Sequence, residues 1–231
     1  MQHPAAPDLS DLVVIMAHDL KNPLAALMTN LHFLQGAVSG PDQDAVDALC
    51  DSVTLCEVLE RFLRNLDLLA RKREIAVRRQ VVAVGAIVQE VVSRAQTQAS
   101  TAGVEILLDG DAGDPPAFVD RDLLTRAVEN MLANALEHSP SGSRVRVEVT
   151  AGEETVAVAT TDARETLPLL QMAEDSLVPT TPATGKRIQG LYGRGLALLC
   201  ADLAARATGA RIEIDGAPRA CRLRLVAPAR E

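Results

Sequence analysis

Aromatic residues are almost missing from this 231-residue sequence: there is no tryptophan, one tyrosine and three phenylalanines. Their scarcity excludes the stacking platforms on which single-stranded nucleic acid is held, and it leaves the core to Leu, Val, Ile and Ala. Positive charge is also short. The net charge of −8 is the opposite of what nucleic acid or an anionic membrane attracts, so neither is expected as a partner. Lysine occurs only at Lys21, Lys72 and Lys186. The four cysteines, Cys50, Cys56, Cys200 and Cys221, make no C-x-x-C pair and no metal-ligand spacing. They read as free, mostly buried thiols of a reducing compartment. No apolar run approaches the ~20 residues of a membrane span, and the first seven residues lack the apolar segment of a signal peptide. These absences predict a cytoplasmic chain that does not itself insert into a membrane.

Two patterns of sequence are present, and they predict two domains. Residues 8–73 carry helical periodicity: Leu9, Val13, Met16, Leu20, Leu24, Leu27, Leu31 and Leu34 recur at steps of three and four. The turn cluster from Gly36 to Pro41 then breaks the helix. A second helix is predicted from about Asp42 to Lys72. Two long helices with a short connection form an antiparallel hairpin whose apolar stripes exceed what one hairpin covers. A homodimer forming a four-helix bundle is the expected solution. Residues 75–231 instead mix short strand-like runs, near 76–84, 104–108, 117–119, 144–149, 155–159, 211–214 and 222–226, with helical patterns at about 85–101, 121–138 and 193–208. Such a mixture predicts an α/β sandwich, with helices on one face of a mixed sheet. The charged stretch from Arg71 to Glu74 is a candidate hinge between the two.

One histidine in the hairpin stands out. With Val13, Leu20, Leu27 and Leu34 at one seam position, His18 falls roughly opposite that seam, on the solvent face. Asp19 adjoins it, and Pro23 follows within the same helix at a cost of about 3 kcal/mol. A neutral imidazole is a good nucleophile near pH 7. A carboxylate that accepts its Nδ1 proton leaves Nε2 free to attack, and Asp19 is positioned for that task. The stretch Met16-Ala-His18-Asp19-Leu-Lys-Asn22-Pro23-Leu24 resembles the H-box of sensor histidine kinases. The resemblance implies that His18 takes the γ-phosphoryl group of ATP and passes it to an aspartate on the receiver domain of a response regulator. It casts Asp19 as the general base and Asn22 as the residue that orients water for dephosphorylating the regulator.

In the second half, residues 120–140 form an amphipathic helix with Leu124, Val128, Met131, Leu132 and Leu136 turned inward. Asn130 and Asn134 lie at i and i+4 on the other face. Asparagine is a poor helix former, so this pair is not there for helix stability, and its amide oxygens are hard ligands suited to Mg²⁺. The segment resembles the N-box of the Bergerat-type ATP-binding fold. That likeness assigns Asn130 and Asn134 to Mg²⁺ and nucleotide, and His138 to packing against the nucleotide. Glu137 stands where the family carries Lys or Arg. Farther on, Gly193-Arg-Gly195 opens the next predicted helix, where backbone N–H groups can approach phosphate. With the Leu-Ala-Leu-Leu that follows, this resembles the family's G2 box. The G1 box, Asp-x-Gly-x-Gly-Ile-Pro, corresponds to Asp162-Ala-Arg164-Glu-Thr166-Leu-Pro168. Asp162 thus matches the adenine-binding aspartate, whereas Arg164 and Thr166 replace both glycines. Lys186, Arg187 or Arg194 is expected to meet phosphate across an unusual lid.

Together these likenesses imply an ATP- and Mg²⁺-dependent protein-histidine kinase of a two-component system, with dephosphorylation of its regulator as a second implied activity. The departures in the G1 box support a second reading, a pseudokinase-like phosphotransfer or adaptor protein with impaired ATP binding. A chaperone-like ATPase, the third, would require the H-box hairpin to be accidental. So little chain precedes the first helix that input is expected from a separate sensor protein or from a longer chain.

Overall fold

The computed structural model describes residues 20, 23–34, 43–70, 75–109, 114–164, 196–217 and 219–230. His18, Asp19, Asn22, Thr166, Lys186, Gly193 and Gly195 lie outside the described residues.

Helix α1 covers residues 23–34 and α2 spans Gln43–Ala70. Their periodic apolar residues divide into two sets. Leu24, Met28 and Leu31 on α1, and Val46, Leu49 and Val53 on α2, are exposed. Toward its C-terminal end α2 turns Phe62 and Leu68 into the main core, and it packs on two helices of the second half.

That second half is an α/β sandwich of β1 (Gln80–Ala83), α3 (Val84–Ala102), β2 (Glu105–Asp109), β3 (Pro116–Val119), α4 (Arg121–His138), β4 (Arg144–Ala151), β5 (Thr155–Asp162), α5 (Leu196–Ala207), β6 (Arg211–Ala217) and β7 (Ala220–Pro228). The main sheet runs β2-β4-β5-β7-β6, with β2 parallel to β4 and every other pair antiparallel. The short pair β1-β3 stands apart. Alternation explains how so few aromatics suffice. Val156 and Val158 of β5 join Val145 and Val147 of β4 and Leu223 and Leu225 of β7 beneath the helices. Ala157 and Ala159 look the other way and are still buried. Across that face, Arg222 bonds Glu148 at 2.7 Å and Arg224 bonds Glu213 at 3.1 Å.

The sequence predicts a strand from 76 to 84, but only Gln80–Ala83 forms one. The Arg78 backbone N–H is instead taken by the Asp120 carboxylate at 2.7 Å. Asp120 is the N-cap of α4, where its other oxygen accepts from the Asp122 and Leu123 N–H groups. One carboxylate thus starts the helix that carries Asn130 and Asn134 and anchors the chain entering the domain. Helix α3 ends at Gly103, with φ 64° and its N–H on the Ser100 carbonyl. A Cβ at this position would run into Ser141 Oγ. Gly103→Ala should therefore lower the urea-unfolding free energy by about 1–2 kcal/mol through the left-handed backbone alone, and more with the clash.

The thiols correct one expectation. All four are free, but only Cys200 and Cys221 are buried, whereas Cys50 and Cys56 are exposed on α2. The α2 cysteines lie on a helix with one side uncovered. Among the described residues no helix is long and apolar enough to cross a membrane.

Candidate nucleotide site

Helix α4 forms because strong helix formers surround an apolar face, with Asp120 capping its start and Ser139 closing its end. The asparagine face does not meet solvent. Asn130 and Asn134 are each 1% exposed, because α3 and α5 pack against α4 and Asn65 of α2 covers Asn130. Burial of an amide demands partners, and each asparagine has one. Asn130 and Asn65 of α2 exchange a reciprocal pair of hydrogen bonds, 2.7 Å from Asn65 Nδ2 to Asn130 Oδ1 and 2.9 Å in return. The Asn130 amide also donates to the Arg126 carbonyl at 2.9 Å. Beside this pair, the Cys200 thiol of α5 donates to the Asn65 carbonyl at 3.7 Å.

Asn134 is joined to Asp162 through a third residue. Asp162 ends β5, one strand from Cys221 in register, and it is 2% exposed. Arg164, two residues on, folds back over it. Its Nε donates to Asp162 Oδ1 at 2.7 Å and its Nη2 to Oδ2 at 2.5 Å, a two-pronged ion pair. The same Nη2 donates to Asn134 Oδ1 at 2.8 Å. Arg164 is itself 4% exposed. Its backbone N–H returns to Asp162 Oδ1 at 3.0 Å, and its carbonyl accepts from the Arg219 N–H at 2.6 Å. Arg164 takes no positive φ; among the described residues the only non-glycine that does is Arg219. Arg164 therefore occupies its position without left-handed backbone strain.

Burial pushes the Cys221 thiol up, against the pull of Arg164 and with the help of Asp162, and raises Cys200 to about 12. Both stay protonated near neutrality and bring no charge to the cluster.

His138 lies half-buried at the C-terminal end of α4. On the α2–α3 side of that helix is a cleft of about 390 Å³ lined by Glu57, Glu60, Arg61, Arg64, Arg94 and Glu129 among others. Its charges are balanced: Glu129 lies 3.5 Å from both Arg64 and Arg94. Burial lowers the Arg61 guanidinium below its ordinary value, while Glu137 and Glu129 raise it. This mixture suits a seam between helices better than an anion.

The fold thus brings Asn134 and Asp162, 28 positions apart in sequence, onto one guanidinium. Asn65 escaped the sequence reading, although a polar residue three positions after Phe62 on an apolar row was a usable signal. Arg164 was visible only as a lost glycine.

The architecture is a mixed sheet with helices on one face and a buried polar cluster where the end of β5 meets α4. Residues 119–231 match the family model described as histidine kinase-, DNA gyrase B- and HSP90-like ATPase. The chain is similar to the catalytic core of sensor histidine kinases. It is 26% identical over 155 residues to the sensor-like histidine kinase SenX3 of Mycolicibacterium smegmatis, a match covering 66% of this chain and 40% of the relative. It is 32% identical over 141 residues to the signal transduction histidine-protein kinase/phosphatase MprB of Mycobacterium leprae, covering 59% and 26%. The chain therefore spans less than half the length of these relatives. In fold it resembles the Acinetobacter baumannii histidine kinase AdeS, with a TM-score of 0.58 and 18% identity over 93% of this chain and 98% of that one.

Proposed function

We propose that the chain is the catalytic half of a cytoplasmic two-component protein-histidine kinase, with residues 8–73 as its dimerisation and phosphotransfer hairpin and 75–231 as its ATP-binding domain. The observation that carries the reading is the convergence of Asn134 and Asp162, two residues expected to line one nucleotide site, onto the single side chain of Arg164.

In this reading Asp162 accepts the exocyclic amine of adenine, and His138, Lys186, Gly193 and Gly195 complete the nucleotide site. The amide oxygens of Asn130 and Asn134 have the hard-donor chemistry that Mg²⁺ takes, and a bound ion would neutralise charge on the phosphates; each oxygen accepts a hydrogen bond here, from Asn65 and from Arg164, and would have to give up that donor to hold the ion. Asp19 takes the Nδ1 proton of His18. Nε2 then attacks the γ-phosphorus as the bond to the β–γ bridging oxygen breaks, and ADP leaves with that electron pair. The N–P bond formed is the donor to a receiver-domain aspartate, and Asn22 orients water for the reverse, hydrolytic task. The exposed apolar rows on α1 and α2 support a homodimeric four-helix bundle, since a lone hairpin leaves them in water.

The test is incubation with γ-labelled ATP and Mg²⁺. Wild type should gain an acid-labile, base-stable label, and His18→Ala should gain none. The ion pair that holds Asp162 favours a second reading, a phosphotransfer adaptor. In that case ATP leaves no label, and His18 accepts phosphoryl only from a phosphorylated receiver domain.

A further inference from the structure

We propose that Arg164 sets the nucleotide affinity of this site by competing with the nucleobase for Asp162. The inference rests on the reading of Asp162 as the base-binding carboxylate. It adds a residue whose effect opposes binding.

The geometry is that of an internal competitor. A base amine would donate one or two N–H groups to a carboxylate at the end of β5. Arg164 already donates there from Nε, Nη2 and its own backbone N–H, so both oxygens of Asp162 are engaged. Nη2 extends the same hold to Asn134 Oδ1, which couples the base-binding residue to a residue of the proposed phosphate and Mg²⁺ region. All three side chains are at least 96% buried, so water cannot substitute for the contacts as they form. The Arg164 carbonyl is fixed by the Arg219 N–H, and its backbone carries no strain. Admission of a nucleotide therefore requires the side chain alone to swing out, with the guanidinium leaving a two-pronged charge pair. Binding is weakened by the fraction of molecules in which that swing has occurred. Glycine, the family's residue at this position, has nothing to withdraw.

The experiment is calorimetric titration of ADP, with and without Mg²⁺, into the full chain and three variants. Arg164→Gly removes the competitor. Arg164→Gln keeps most of the volume and one donor toward Asp162, a milder change than glycine, and thermal unfolding identifies which variants are folded and are titrated. Both substitutions should tighten ADP binding, by tenfold or more for Arg164→Gly, and Asp162→Ala added to Arg164→Gly should abolish the gain. Equal binding by wild type and both variants would overturn the competitor role and leave the nucleotide reading standing, and so would weaker binding by the variants. Folded variants that bind no ADP at all would overturn both.

Discussion

Asp162→Ala should be among the most destabilising single substitutions in the α/β domain, lowering the unfolding free energy by about 3–5 kcal/mol, because a guanidinium is left buried without its counter-charge. The prediction turns on burial. Arg164 and Asp162 are 4% and 2% exposed, and Asn134, the remaining side-chain partner, is neutral. An exposed pair such as Arg144 with Glu105, 2.8 Å apart on the surface, would cost at most about 1 kcal/mol under the same treatment. Removing both charges separates the pair's worth from the penalty of orphaning one of them. Asp162→Leu combined with Arg164→Met keeps volume and leaves neither charge, so its stability should return most of the way to wild type. Urea unfolding of wild type, Asp162→Leu, Arg164→Met and the double variant forms the cycle. A loss below about 1 kcal/mol for Asp162→Ala would mean that the guanidinium reaches water and the pair is not closed.

The α/β half of the fold was largely readable because its elements are locally determined. Helix α4 was expected over 121–138 and spans Arg121–His138, since Asp120 is a capping residue and Ser139-Pro140 a stop. Strands β5 and β7 run farther than expected, to Asp162 and from Ala220, because their ends are held by pairing with each other and not by their own pattern. The strand expected from residue 76 is shorter because a carboxylate 42 positions away claims the Arg78 N–H. The same limit governs the site. The i, i+4 spacing of Asn130 and Asn134 was plain in the sequence, but their partners, Asn65 and Arg164, are 65 and 30 residues distant. Periodicity reports that a face is special and does not report what covers it. Hence the asparagine face was read as opposite the core, whereas it is enclosed by other helices. Arg164 illustrates a further blind spot: a motif comparison registers a missing glycine, and only coordinates show that the replacement binds the motif's own aspartate.

The contact between Asn65 and Asn130 makes a second strong prediction, because it ties α2 to the candidate site. Two amides exchange hydrogen bonds in a buried seam between α2 and α4. Asn65→Leu removes both bonds and leaves Asn130 Oδ1 without that donor, although Nδ2 keeps the Arg126 carbonyl. An unsatisfied buried acceptor costs about 1–3 kcal/mol, so the single variant should lose that much. Replacing both residues with leucine should be far milder, since no polar group is then stranded. Hydrogen exchange distinguishes local from global loss. If the pair fastens α2 to the domain, Asn65→Leu should speed exchange of α2 amides around residues 60–68 while amides of β5 and β7 keep their protection. Uniform acceleration across all three would instead make the pair a general core element. Unchanged exchange and unchanged stability would show that the seam is held by Phe62 and Leu68 alone.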